Sequence, residues 1–165
     1  MFNSVQVDMI TFEKAENIKE LAELASKIWH EYWPILLSDK QIDYMVENFQ
    51  SENAIKNQIA NEHYTYYYII KNNEKAGYFG LSDKEGYLFL SKIYISKEFR
   101  HKGLGTKAFE KIKKIAGGRK IRLTVNKQNI NSINAYKKWG FQTIDSVVTD
   151  IGNGFVMDDY IMEYQ

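Results

Sequence analysis

Cysteine is absent from the 165-residue chain, which excludes disulfides, thiolate metal sites and a cysteine nucleophile together. The absence fits a cytoplasmic protein. Proline occurs once, at Pro34, so a ring interrupts the backbone at one place alone. No apolar run approaches the ~20 residues of a membrane span, and no membrane association is expected. The opening Met1-Phe2-Asn3-Ser4 has no basic stretch followed by an apolar core, so no signal peptide is expected either. Basic residues run out early: after Lys138 there is no Lys or Arg, while Asp145, Asp150, Asp158, Asp159 and Glu163 follow.

The residues present, 44% hydrophobic and 26% charged, place the chain among globular proteins. Its length points to one domain over residues 1–165. Twelve tyrosines are enough for a lined pocket as well as a core. The net charge of +1 conceals an uneven distribution. From Lys97 to Arg122 ten Lys/Arg stand against Glu98 and Glu110, and from Met1 to Glu62 five Lys stand against eleven Asp/Glu. A basic centre between acidic flanks suggests an anionic ligand held centrally and a cationic partner held by the flanks. Asp158 and Asp159 are candidate anchors for that cation, with a solvated pair as the alternative.

Val5 to Ile10 reads as a first strand. Glu13 to Glu31 reads as a helix with Ile18, Leu21, Leu24, Ala25, Ile28 and Trp29 in one stripe. The segment Trp29 to Ile35 breaks that pattern. Ser38-Asp39 opens a second helix to about Asn48, and a third covers Glu52 to Ala60. Tyr64 to Ile70, Lys75 to Leu81 and Tyr87 to Ile95 are strands, separated by turns at Asn72-Asn73 and at Asp83 to Gly86. A helix from Lys107 to Ala116 ends at Gly117-Gly118. Lys120 to Val125 is a strand and Ile130 to Trp139 a helix closed by Gly140. Phe141 to Val148 and Phe155 to Glu163 are strands about Asn153-Gly154. The order predicts an α/β (α+β) domain: one mixed, mostly antiparallel sheet of about seven strands flanked by about four helices.

Two stretches carry chemistry. The first is Arg100-His101-Lys102-Gly103-Leu104-Gly105-Thr106, between a strand and a helix. A turn there aims unpaired N–H groups and the positive end of the helix dipole at one point, which suits a pyrophosphate. Gly103 and Gly105 leave the backbone open to it, and Arg100 and Lys102 add charge. A tight turn without a ligand is the bland alternative. The spacing fits neither the Walker loop nor the dinucleotide fingerprint. The second stretch runs from Asn126 to Phe141. It places Asn129, Ser132 and Tyr136 on one helix face, and Asn and Ser are poor choices for a core stripe.

With both motifs in this order, the chain resembles the GNAT-type N-acetyltransferases, which move acetyl from acetyl-CoA to amines. Arg-x-x-Gly-x-Gly is met by Arg100, Gly103 and Gly105. Asn-x-x-Asn-x-x-Ala-x-x-x-Tyr-x-x-x-Gly-Phe is met from Asn126 to Phe141, with Ser132 in place of Ala. The resemblance implies the acyl-CoA N-acyltransferase fold, acetyl-CoA as cosubstrate and no metal. It implies that Ile93, Tyr94 and Ile95 pair with the pantetheine arm and that Arg100 to Thr106 hold the pyrophosphate. Asn129, with Ser132 beside it, implies a contact to the CoA arm, and Tyr136 implies the acid that protonates the leaving thiolate. A phenol stays protonated at neutral pH and can donate. Without cysteine no acyl-cysteine can form, and direct transfer in a ternary complex is expected.

Many family members carry a Glu base on the central strand. Near that place this chain has Ser91-Lys92, which leaves His30, Glu31 or a water held by tyrosines. The resemblance places an acceptor loop at Trp29 to Ile35, so Trp29, His30, Tyr32 and Trp33 are the acceptor-site candidates. The expected acceptor is a small cationic amine, a polyamine or a peptide amine, and the protein is expected to be a monomer or homodimer. A non-catalytic acyl-CoA-binding sensor is the alternative, against which Tyr136 argues. Nucleic-acid binding through Lys107, Lys111 and Lys114 is a third reading, weakened by the acidic flanks and not expected.

Overall fold

The computed structural model describes residues 7–165. Seven strands form one sheet: β1 (Ile10–Lys14), β2 (Tyr64–Lys71), β3 (Glu74–Lys84), β4 (Tyr87–Ile95), β5 (Lys120–Asn126), β6 (Gln142–Gly152) and β7 (Phe155–Tyr164). Their spatial order is β1-β2-β3-β4-β5-β7-β6. Five α-helices accompany them among the described residues: α1 (Ile18–Tyr32), α2 (Asp39–Met45), α3 (Glu52–Asn61), α4 (Leu104–Ala116) and α5 (Ile130–Trp139). A π-helical turn at Val46–Gln50 joins α2 to α3.

The predicted order of elements stands, with shifted ends. Residues 5–6 of the expected first strand lie outside the described residues, and the strand itself begins at Ile10 and runs to Lys14. Glu13 and Lys14 therefore belong to β1. Helix α1 starts later than expected because Asn17 caps it, its side chain accepting from the Glu20 amide at 3.1 Å. It then runs through Trp29 to Tyr32, where the sequence led us to expect a break; the apolar stripe continues and the chain turns only at Trp33, ahead of Pro34. Ser38 caps α2 as expected. Asn72 and Asn73, with φ of 49° and 67°, make the tight β2–β3 turn.

Strand alternation sorts the core onto two faces. Tyr66, Tyr68 and Ile70 of β2 and Tyr78 of β3 pack under α1 and α3. Ile69 and Phe79 face the opposite way, against Leu104, Ala108, Phe109 and Ile112 of α4. Each Leu, Ile or Phe side chain among these, fully buried, stabilises the fold by about 1.5–3 kcal/mol.

The site is positioned by one irregularity. All sheet pairings are antiparallel except β4–β5, which is parallel and lasts for three residue pairs: Tyr87 with Lys120, Leu88 with Ile121 and Phe89 with Arg122. Beyond Phe89 the two strands diverge. A register shift on β3 pairs Gly80 with Lys92 but Leu81 with Leu90, leaving Ser91 as the extra residue of a bulge that bends β4 away.

Candidate active site

Where β4 and β5 part, a cavity of about 670 Å³ opens. Leu90 to Ile95 line one side and Leu123 to Asn126 the other. Helix α1 supplies Trp29 and Tyr32, with Trp33 just beyond its end. Helix α5 supplies Ser132, Ala135, Tyr136 and Trp139, with Asn129 just ahead of it. From Leu90 on, the edge of β4 that faces β5 has no strand beside it, so its backbone groups are open to a partner in the cavity.

Helix α4 begins at the mouth of this opening. Its N-cap is Gly103, left-handed at φ 78°, and no side chain caps it. The Lys107 amide is the first to bond back, to the Gly103 carbonyl at 3.2 Å. The amides of Leu104, Gly105 and Thr106 therefore precede the helix's own bonding ladder. A Cβ on Gly105 would come within 3.3 Å of the Trp139 ring, so glycine lets helix α5 and the cavity approach this turn. The helix starts three residues before the expected Lys107, which puts Gly105 in its first turn. The Leu104 side chain is core, while those of His101 and Lys102 are exposed. Lys102 turns back, its Nζ donating to the Glu98 carbonyl at 3.1 Å. Thr106 is exposed and its hydroxyl accepts from Trp139 Nε1 at 3.4 Å.

Arg100 departs from the expected role of lending charge to the turn. Its Nε donates to the Ile95 carbonyl at 2.9 Å, and the guanidinium lies over the Tyr32 ring at 5.1 Å. One terminal nitrogen is buried without a partner among the described residues. The side chain thus lines the inside of the cavity.

The face of α5 is arranged as its spacing predicts, with Asn129, Ser132 and Tyr136 all on the cavity. Asn129 also caps the helix, its Oδ1 accepting from the Ser132 amide. The Tyr32 hydroxyl of α1 donates to the same oxygen at 2.9 Å and lies 2.7 Å from Ser132 Oγ. This cross-cavity bridge was not visible in the sequence, because it needs α1 laid against α5. Burial pushes the Tyr136 phenol above its ordinary range, with the Tyr32 phenol adding to the effect. The group stays protonated and able to donate.

Three of the four acceptor-site candidates come together. Trp29, Tyr32 and Trp33 surround Tyr94, with ring centroids 5.3, 5.8 and 6.5 Å from it. Trp29 Nε1 donates to the Tyr78 hydroxyl at 3.0 Å, whereas the Trp33 indole nitrogen is buried without a partner among the described residues. His30 is the correction. It points away from the cavity, with Nε2 2.8 Å from Asp43 Oδ1 and Nδ1 2.7 Å from the Ser26 carbonyl. The reason is helical phase: Trp29 and Tyr32, three apart, share a face that excludes the two residues between. Glu31 also lies off the cavity and accepts the Lys97 amide at 3.1 Å.

Two residues outside those candidates line the cavity with unusual ionisation. Lys92, buried on β4, donates to the Phe49 carbonyl at 2.7 Å, to Gln58 Oε1 at 3.0 Å and to the Tyr66 hydroxyl. Burial pushes its ammonium down to about 7. Asp159 of β7 is 9% exposed, and its Oδ1 is buried without a partner among the described residues. Burial, with Asp158 beside it, raises its carboxyl to about 6. The only sequence signal was the Asp158-Asp159 pair, which strand alternation splits. Asp158 faces out and binds Lys127 at 2.9 Å. Among the described residues, Glu62 and Asp159 are the carboxylates on the cavity, and Glu62 is exposed.

Among the described residues no helix is long and apolar enough to cross a membrane, and no group of three or more acidic or histidine side chains is placed to hold a metal ion. The seven-stranded sheet thus parts between parallel β4 and β5, with an uncapped helix terminus at the opening. The chain belongs to the acetyltransferase (GNAT) family, whose model matches residues 18–141, and it is an acetyl-CoA-dependent acyltransferase. No curated protein matches it in sequence. Among solved structures, it is similar to the PaiA N-acetyltransferase of Thermoplasma acidophilum in complex with coenzyme A, at 24% identity and TM-score 0.75, over 95% of this chain and 99% of that one. A GNAT-family acetyltransferase of Streptococcus pneumoniae matches at 20% identity and TM-score 0.61, over 94% and 99%. Arabidopsis thaliana Naa50 in complex with the bisubstrate analogue CoA-Ac-MVNAL matches at 14% identity and TM-score 0.61, over 94% and 98%.

Proposed function

We propose that the enzyme transfers acetyl from acetyl-CoA to a primary amine by direct attack in a ternary complex. The acceptor is a small cationic amine, a polyamine or a peptide amine. The observation that carries this reading is that one cavity joins the free edge of β4, the Tyr136 phenol and the aromatic pocket of Trp29, Tyr32, Trp33 and Tyr94. In it, Ile93 to Ile95 pair with the pantetheine arm, and the amides of Leu104, Gly105 and Thr106 hold the pyrophosphate. Their fit is supported by the glycines that keep side chains away from that terminus. Asn129 and Ser132 border the arm. An amide of the open β4 edge near Tyr94 stabilises the oxyanion, and such a donor is worth about 3–4 kcal/mol. Tyr136 returns a proton to the leaving thiolate. A peptide acceptor is supported by the peptide-bearing analogue bound to the Arabidopsis relative. Residues 1–165 act as one domain, as a monomer or homodimer, in the cytoplasm.

Thiol release from acetyl-CoA across polyamines, amino acids, aminoglycosides and short peptides tests the reaction and names the acceptor class. The cysteine-free chain adds no thiol background. Tyr136→Phe is expected to lower kcat by about a hundredfold or more while acetyl-CoA binding persists. An unchanged kcat would remove Tyr136 from the chemistry, and no release with any amine would favour a binding module over an enzyme of amine acetylation.

A further inference from the structure

We propose that Asp159 receives the ammonium group of the acceptor and takes its proton before the nitrogen attacks. This rests on the amine-acetylation reading above and supplies the base that the Ser91-Lys92 stretch of β4 lacks.

A carboxylate nine-tenths buried, on a residue that lines the cavity and with one oxygen unpartnered among the described residues, is costly to the fold. A cation bearing N–H donors is the group that completes it best. No cation among the described residues does so. Lys127, the nearest, is drawn to Asp158 at 2.9 Å and lies over the Tyr160 ring at 5.3 Å. Lys92 is engaged by Phe49, Gln58 and Tyr66. Arg100 is turned to the Ile95 carbonyl and the Tyr32 ring. The titratable groups around Asp159 are few: Asp158 on its own strand, Lys127 after β5, and the Tyr94 phenol of β4, which burial keeps neutral. In the β7 ladders, Asn126 and Val147 stand opposite Asp159 and carry no charge. The same cavity is lined by Trp33, and an indole ring suits an alkylammonium.

The proton count closes. The Asp159 carboxylate takes one proton from the ammonium, and the freed lone pair forms the N–C bond to the acetyl carbon as the C–S bond breaks. Tyr136 gives its phenolic proton to the departing sulfur, and the second proton lost by the nitrogen restores the phenol. Asp159 then releases its proton to solvent, so each acetyl transferred yields one amide, one thiol and one proton. A carboxyl raised to about 6 by burial is ionised at neutral pH and still basic enough to serve.

Propylammonium is the probe, because it carries little beyond the group in question. Calorimetry measures its binding to the protein saturated with CoA, for wild type, Asp159→Asn, Asp159→Glu and the control Asp158→Asn. Wild type and the control are expected to bind it saturably, and Asp159→Asn roughly ten- to a hundredfold more weakly. Asp159→Glu, which keeps the charge, is expected to restore part of the loss. Unchanged affinity for CoA shows that the variants are folded. With the acceptor found in the amine panel, kcat/KM of wild type should fall below about pH 6, and that acid limb should vanish in Asp159→Asn as the rate drops about a hundredfold. Failure of propylammonium to bind the wild-type complex, equal binding by Asp159→Asn, or an unchanged acid limb in that variant overturns the proposal. Saturable binding without thiol release from any amine overturns the acetylation reading and the proton step, and leaves the ammonium site standing.

Discussion

Lys92 shows how a single side chain is bent to the needs of the fold. It is 7% exposed, and its Nζ ties the π-helical turn to α3 through Phe49 and Gln58. Burial pushes its ammonium down to about 7. Between pH ~7 and the unfolded value near 10.5 the unfolded chain binds more protons than the native one, so stability rises with pH in that window. Wild type should therefore gain on Lys92→Met as pH climbs from about 7 to 10, by up to about 1.4 kcal/mol per pH unit. Urea unfolding of both proteins at several pH values measures it. A constant difference across that range would mean that the buried amine is as easily charged in the native state as in the unfolded one. The sequence shows a lysine on a strand and nothing of this, because its neighbours come from three other elements. Arg100 repeats the point: composition reads it as charge for a phosphate, whereas packing turns it to the Ile95 carbonyl inside the cavity.

Among the elements, α1 bears on the site most directly. It carries Trp29 and Tyr32 into the cavity and reaches α5 through the Tyr32 hydroxyl. On its outer side it is tied to α2 by His30 and Asp43. The Asp43 carboxylate, and then the Ser26 carbonyl, raise the His30 imidazole above its ordinary value. A raised folded value means that the tether's contribution is complete below about pH 6.5 and disappears as pH rises through the folded value. His30→Gln should thus be less stable than wild type at pH 5.5 and close to it at pH 8.5. The gap should not exceed about 1 kcal/mol, because the pair is exposed. Paired thermal melts at the two pH values decide, and a gap that widens with pH would refute the tether. At this scale the sequence was largely legible. Caps at Ser38, glycine stops at Gly117 and Gly140, and the Asn129, Ser132 and Tyr136 face all read from spacing. What it hid was phase. A step of one residue takes His30 off the cavity and turns Asp158 away from Asp159, and a stripe or pair of like residues does not say which member faces inward until the opposing elements are placed.

The whole molecule is a sheet in two parts, β1 to β4 and β5 with β7 and β6, joined by the three parallel pairs from Tyr87 to Phe89. A few side chains help to span the join: Tyr32 to Asn129 and Ser132, Tyr44 to the Ile151 carbonyl at 2.6 Å, and Arg119 to Asp83 at 2.7 Å. In the placement proposed above, acetyl-CoA lies along the open edge of β4 with its pyrophosphate on α4, in the gap between the parts, and binds the native state alone. At about 100 times its Kd it should stabilise the fold by about 2.7 kcal/mol. For a chain of this size that raises Tm by roughly 5–10 °C. In that placement the ligand fills a gap rather than a surface groove, so hydrogen exchange should slow on both walls, at Leu90 to Ile95 and at Leu123 to Asn126. Protection confined to the β4 wall, with the β5 wall exchanging as before, would show that the ligand rests on one half of the sheet and does not join the two.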